Sequence, residues 1–270
     1  MLIRKPHVAG SFYPSDPTEL REFCQKHLAS QEVPVRAKAV ILPHAGYVYS
    51  GRTACRTLSN INVPENVVLT GPDHFGAGPE FSLFPRGAWE NPLGSVPVAE
   101  DLASALLESS HDIHADENAH RAEHSLEVLL PFLQFKNPDV KITPLLAGTL
   151  DFDLAARVSR QMGEILALKM QTQDVLVVIS NDMSHYEPED ATRRKDQYAL
   201  EAILKLDARE LLKAIQLYKI TMCGMVPVFM LLTMKDYLGI TKARLVEYTT
   251  SAEASGDRSR VVGYAGFIFE

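Results

Sequence analysis

Three apolar runs in this sequence end in a histidine. In AVILPHAGYVYSG, residues 39–51, the run breaks at Pro43 and His44 follows at once. In NVVLTGPDHFGAG, residues 66–78, glycine and proline again precede His74. In VLVVISNDMSHYEPED, residues 175–190, the exit carries Asp182 and His185. Imidazole titrates near neutrality and is a common metal ligand, so histidines at the exits of buried strands point to acid–base work or metal binding. One such histidine is an ordinary loop residue; three at matching places are not.

Two more stretches extend the set. HRAEHSLEVLLPFLQ, residues 120–134, puts Glu123 and His124 at the start of an amphipathic helix, where a glutamate also suits the helix dipole on its own account. His124 is a candidate for the same site. In ITMCGMVPVFMLL, residues 220–232, Cys223 stands before Gly224, and Gly224 and Pro227 mark a helix start, a position that lowers a thiol's pKa and suits a ligand. Cys24 and Cys55 lie on ordinary helical patterns and read as small buried hydrophobes. Together His44, His74 and Cys223 offer two nitrogens and a thiolate, with Asp182 and His185 as an acid–base pair beside them. Such a set suits zinc, iron(II) or copper(I), and three protein ligands leave one coordination position open.

These groups need a frame that brings them together. Apolar runs at 37–42, 66–70, 140–146, 174–179, 243–249 and 260–268 read as strands, most of them buried on both faces. Helical periods cover 17–29, 49–59, 98–109, 124–135, 151–169, 190–204, 207–217 and 224–237. The alternation predicts an α/β fold on a mostly parallel or mixed central sheet. The spacing of His44 and His74 fits one βαβ unit, whose two strands would lie side by side with both imidazoles over one crevice. A competing reading makes Asn181, Asp182 and Ser184 caps for the helix at 190. The glycine- and proline-rich stretch 76–97 reads as a long connection with an embedded hairpin, expected to set the selectivity of the cleft together with the loop 186–190. No repeat or Gly/Ser linker divides the chain, so one domain over 1–270 is expected.

Composition limits the function classes. The 270 residues are 46% hydrophobic, enough for a sizeable core, and carry a formal net charge of −7. No basic stripe exists to neutralise phosphates, and the triplet Arg193, Arg194 and Lys195 reads as a solvated helix face, so no nucleic-acid partner is expected. No segment approaches the ~18 apolar residues of a membrane span, and the first residues lack a signal-peptide core, which predicts a cytoplasmic protein with no membrane partner. Three cysteines without CxxC spacing exclude a disulfide framework and a self-contained zinc ribbon.

The strings RKPHVAGSFYP, LPHAGYVYSG, TGPDHFG, ENPLGSVPV, AEHSLEVLLPFL, ISNDMSHY, MCGMVPV and RVVGYAGF, in this order, closely resemble the Memo family, whose microbial members are called protein B of the AmmeMemoRadiSam system. The resemblance implies a three-layer α/β/α architecture similar to that of class III extradiol dioxygenases, with a metal-site cleft. It maps His44, His74 and Cys223 to the metal positions and puts Asp182 and His185 in the same cleft. Where some members have paired histidines, this chain has His74 followed by Phe75. Where the dioxygenases complete a facial triad with a carboxylate, it has Cys223, and a thiolate shifts a site towards copper or zinc.

Two functions follow from the residues and the resemblance together. One is a copper- or iron-dependent redox enzyme in which His185 moves protons, Asp182 fixes its tautomer and His124 assists. The other is a non-catalytic module holding metal, a peptide or a small molecule, with radical SAM and AMMECR1-like proteins as functional neighbours; this chain itself has no CxxxCxxC cluster motif. Hydrolysis by metal-bound water or by Ser184, His185 and Asp182 is a weaker third, since neither G-x-S-x-G nor H-E-x-x-H occurs.

Overall fold

Val, Ile and Leu dominate the strands at the centre of the chain, and their side chains are buried on both faces, as a sheet covered by helices requires. The computed structural model describes residues 2–29 and 33–270. The strands are β1 (Ile3–Arg4), β2 (Ala39–Leu42), β3 (Asn66–Pro72), β4 (Phe81–Leu83), β5 (Ala88–Asn91) and β6 (Gly94–Pro97). They continue with β7 (Ile113–Ala115), β8 (Lys141–Ala147), β9 (Val175–Ser180), β10 (His185–Glu187), β11 (Ala243–Thr250) and β12 (Val261–Phe269). The helices are α1 (Pro17–His27), α2 (Arg52–Ser59), α3 (Glu100–Ser109), α4 (Leu130–Lys136) and α5 (Phe152–Lys169). The rest are α6 (Glu189–Leu204), α7 (Ala208–Tyr218), α8 (Met225–Met234) and the single turn α9 (Ala252–Ser255).

Nine strands form one mixed sheet in the order β10-β12-β2-β9-β3-β8-β4-β7, with β11 also on β12. Its centre, β2-β9-β3-β8, is parallel, while β12 and β4 run antiparallel to it. Here the βαβ expectation needs correction: β2 and β3 are parallel, but β9 lies between them, pairing Leu42 with Ser180 on one side and Thr70 with Ile179 on the other. The insertion strengthens the crevice, because the exits of β2, β9 and β3 now stand in a row, carrying His44, Asp182 and His74.

Helices cover both faces. A Cβ on Gly266 would run into Thr57 of α2, whereas one on Gly263 would strike Asp196 of α6. Three positions apart on one strand, these residues face opposite sides of the sheet. Helices α1, α2 and α4 pack together on the first side, and α3, α5, α8, α7 and α6 follow one another in contact on the second, which makes the three-layer α/β/α arrangement. The longest helix, α5, starts where the Asp151 carboxylate accepts from the Asp153 and Leu154 amides, and it buries Leu154, Val158, Met162 and Leu166 along one stripe.

The stretch 76–97 contains the expected hairpin. Strands β5 and β6 pair antiparallel and join β1 in a small second sheet that buries Trp89. The residues before the hairpin add β4 to the main sheet. None of this stretch lines the cleft described below, so its expected role in selectivity is corrected: it is structural. The N-terminal segment is held by a buried carboxylate. Glu127 accepts from Arg4 Nη1 (2.7 Å), from the His7 and Val8 amides and from the Tyr13 hydroxyl (2.7 Å). The segment so fixed brings Phe12 against His124, with ring centroids 4.7 Å apart.

Candidate metal centre

A cavity of about 770 Å³ opens above the row of strand exits and is lined by His44, His74, His124, Asp182, His185 and Cys223. All six candidates from the sequence therefore meet in one place. After Pro43 the chain widens into a π-helical turn, Tyr47–Gly51, with Tyr47 turned inward against Phe132 and Tyr49 on the cleft wall.

Hydrogen bonds fix which nitrogen each imidazole offers. Ser180 donates its hydroxyl to the Ser125 carbonyl (2.7 Å), so its oxygen can only accept from His44 Nδ1 (2.7 Å). That leaves the lone pair of His44 on Nε2, which stands 3.3 Å from Cys223 Sγ. His74 donates from Nδ1 to Glu123 Oε1 (2.9 Å), and its own amide donates to Glu123 Oε2 (2.7 Å). His74 Nε2 is thereby free as well. Ligand atoms of His44, His74 and Cys223 all lie within 4.8 Å of one another, a spread that one ion at about 2.0–2.3 Å from each would close. Two imidazoles, each with its far nitrogen anchored, and a thiol form a donor set that fits a transition metal.

Burial holds His44 neutral, well below its ordinary pKa, with the neighbouring His124 and His74 adding to the effect. For His74, burial pulls the same way, but the Glu123 hydrogen bond and charge outweigh it and raise the value. Burial alone would raise Glu123; the bonds from His74 and from the Ser125 and His74 amides bring it down to about 2. The expectation that the helix start would lower the Cys223 thiol is corrected. Burial first, then the Asp182 charge, pushes it well above its usual value, although the Asp182 amide points at Sγ (3.3 Å). Among the protein's own groups, the thiol is therefore the favoured form. Cys223 reaches this place because Gly224 has no side chain: a Cβ there would stand 2.5 Å from the Ser180 carbonyl oxygen.

Asp182 and His185 share the cleft but not a hydrogen bond. Asp182 accepts from the His44 amide (2.8 Å), and its carboxyl is pushed up to about 6, chiefly by burial. His185 donates from Nδ1 to the Thr221 carbonyl (2.9 Å), while its amide donates to Thr221 Oγ1 (2.8 Å). Thr221, not Asp182, fixes the His185 tautomer. The same geometry removes the Ser184–His185–Asp182 cluster, since Ser184 is buried and its amide donates to Asp196. The capping alternative also falls, because α6 begins at Glu189 after Pro188 in the N-cap position, with no side-chain cap.

His124 lies in the turn before the helical segment and not on it: a 3₁₀ turn starts at Glu127 and α4 at Leu130. The Glu123 carboxylate takes the Ser125 amide (2.7 Å), which holds the backbone in a turn. His124 stacks on His74, with centroids 4.6 Å apart, and burial lowers its pKa. Glu123, Ser180 and Thr221, which orient the candidate imidazoles, are the residues that sequence reasoning missed. Glu123 alone left a trace, as an acid beside His124.

A family model described as "Memo-like protein" matches residues 4–268. A MEMO1 family protein of Aquifex aeolicus is 42% identical over 272 residues, covering all of both chains. One of Ignicoccus hospitalis is 41% identical over all of this chain and 99% of its own. Among solved structures, an uncharacterized protein of Escherichia coli K12 superimposes with a TM-score of 0.56 at 14% identity, over 86% of this chain and 100% of that one. That likeness carries the fold alone. The full-length match to the family model and to these relatives, over the very segments that build the cleft, makes this chain a member of the Memo family.

Proposed function

We propose that this chain binds one copper or iron ion through His44 Nε2, His74 Nε2 and Cys223 Sγ, and works as a redox enzyme on a small molecule held in the cleft. One observation carries the reading: two imidazoles with Nδ1 tied to Ser180 and Glu123 converge with a thiol inside 4.8 Å. The ion, when bound, supplies electron transfer and Lewis acidity at the position the three side chains leave open.

The protein's own groups do the rest. Ser180 and Glu123 hold the two rings in the tautomer that can bind metal, a constraint typically worth about 10–100-fold in affinity. His185, its Nδ1–H engaged by Thr221, keeps Nε2 free to take a proton from a substrate hydroxyl and return it. Phe12, Tyr49 and Tyr264 give the cavity an aromatic lining against which an apolar substrate body can pack.

Metal content and thiolate-to-metal absorption, measured on protein purified without oxygen or chelator, test this. Stoichiometric copper or iron in the wild type, lost in His44→Ala and Cys223→Ser, is the expected result, followed by dioxygen consumption in the reduced protein. Stoichiometric zinc in its place, or metal without turnover, would replace the redox reading by a binding module. No metal in the wild type would end the redox reading and leave a module for a peptide or protein ligand.

A further inference from the structure

Beyond the metal ligands, the mouth of the cleft carries a device of its own. Tyr186 has φ of +61°, a left-handed backbone that a bulky side chain rarely adopts. It is the extra residue where β10 slips against β12, between the pairs His185–Val262 and Glu187–Val261. Such bulges re-aim a side chain, and this one sets the Tyr186 ring on the cleft wall, 5.6 Å from the His185 ring. The Arg260 guanidinium lies over the same ring, 5.5 Å from its centroid. Tyr186 thus neighbours both the guanidinium and the His185 ring.

Arg260 is the one lysine or arginine lining the cavity among the described residues. It is exposed and has no ion-pair partner among them, while its neighbour Arg258 faces Glu189 at 3.4 Å. The carboxylates that share the cavity are committed elsewhere: Asp257 accepts from the Ser259 amide and hydroxyl, and Asp182 from the His44 amide. A cation stacked on tyrosine keeps its outward N–H fork open, and that fork matches a carboxylate. The walls between it and the metal ligands are aromatic, from Phe12, Tyr49, Tyr186 and Tyr264.

We propose that the cleft is built for a small organic monoanion with a flat apolar body, whose carboxylate pairs with Arg260 while its far end reaches His185 and the metal ligands. With Asp257 also on the cavity wall, a monoanion meets less like-charge repulsion at Arg260 than a phosphate dianion does. This deepens the proposed function and rests on its reading of the cavity as a small-molecule site.

The test titrates a matched pair of probes, 4-hydroxybenzoate and the neutral 4-hydroxybenzyl alcohol, by ligand-observed NMR on the protein as purified and after metal removal. In the wild type the benzoate should bind about tenfold tighter, the scale of one charge-assisted pair at a wet rim. Arg260→Gln should bring the benzoate down to the alcohol with metal content unchanged, Arg260→Lys should keep part of the preference, and Arg258→Gln should keep all of it. Equal binding of the two probes, no binding of the benzoate to the wild type, or an undiminished preference in Arg260→Gln would overturn the proposal. Metal content is read separately, so absence of metal sinks the redox reading without touching the charge preference seen in metal-free protein.

Discussion

Ser180 Oγ and His44 Nδ1 stand 2.7 Å apart, and because the serine proton is already given to the Ser125 carbonyl, this contact has only one polarity. Ser180 ends the central strand β9, so the sheet itself dictates which nitrogen of His44 faces Cys223. Ser180→Ala should release that constraint and weaken metal binding about 10–100-fold with little loss of fold. A competition titration against a chelator of known affinity measures it; unchanged affinity would make the serine a packing residue.

His185→Gln should leave metal content intact and slow turnover by about 10²–10⁴-fold, the usual contribution of a positioned acid–base group. Dioxygen consumption at matched metal loading is the readout. A variant as fast as the wild type would assign proton transfer elsewhere, with His124 next in line.

The Glu123–His74 pair should give the metal-free protein a pH signature. With the Glu123 carboxyl at about 2 against an ordinary 4.5, its native form binds fewer protons than its unfolded form in that window, so its stabilisation is complete above pH 4.5 and fades as pH falls towards 2. The raised His74 acts in the opposite sense, contributing below its unfolded value and fading as pH rises through its folded one. Urea unfolding from pH 2 to 8 should show both limbs flattened in Glu123→Gln, the acid one by up to about 3 kcal/mol. Parallel curves for variant and wild type would refute the coupling.

Gly224→Ala should place a methyl group 2.5 Å from the Ser180 carbonyl oxygen and 2.7 Å from Asn181 Cβ. Because the contact is with backbone, the segment has to move, at about 1–3 kcal/mol, and Cys223 moves with it. Metal binding should fall together with the urea midpoint. A variant that keeps both would show the loop to be more yielding than its packing implies.

Glu127→Gln should be the most destabilising of these changes, about 3–5 kcal/mol, since it strips the charge facing buried Arg4 and weakens the anchor of the N-terminal segment. Unfolding free energy reads it directly, and a loss under 1 kcal/mol would mean that the segment is held by its apolar contacts alone.

The six Val-, Ile- and Leu-rich strands β2, β3, β8, β9, β11 and β12 and eight of the helices were legible because apolar runs and helical periods show in the sequence. Strands of two or three residues, such as β1, β4, β7 and β10, carry no period and were invisible. His44, His74, Asp182, His185 and Cys223 were legible from their places at strand exits and a helix start. Their supports were not. Glu123 reaches His74 across 49 positions, and Thr221 holds His185 through a backbone carbonyl, which every residue has. The order β2-β9-β3 was hidden for a related reason: sequence order does not determine which parallel strand is inserted between two others.

His44 and Cys223 are separated by 179 positions in the chain and by 3.3 Å in space. During synthesis, then, the first imidazole is made long before its sulfur partner leaves the ribosome, and the exit of β9 must form between them. A growing chain ending before residue 223 lacks the thiol of the His44, His74 and Cys223 set. Under the proposed metal reading, loading would be a late event, with the ion serving as a clasp fastened on a finished molecule and not as a nucleus around which it folds.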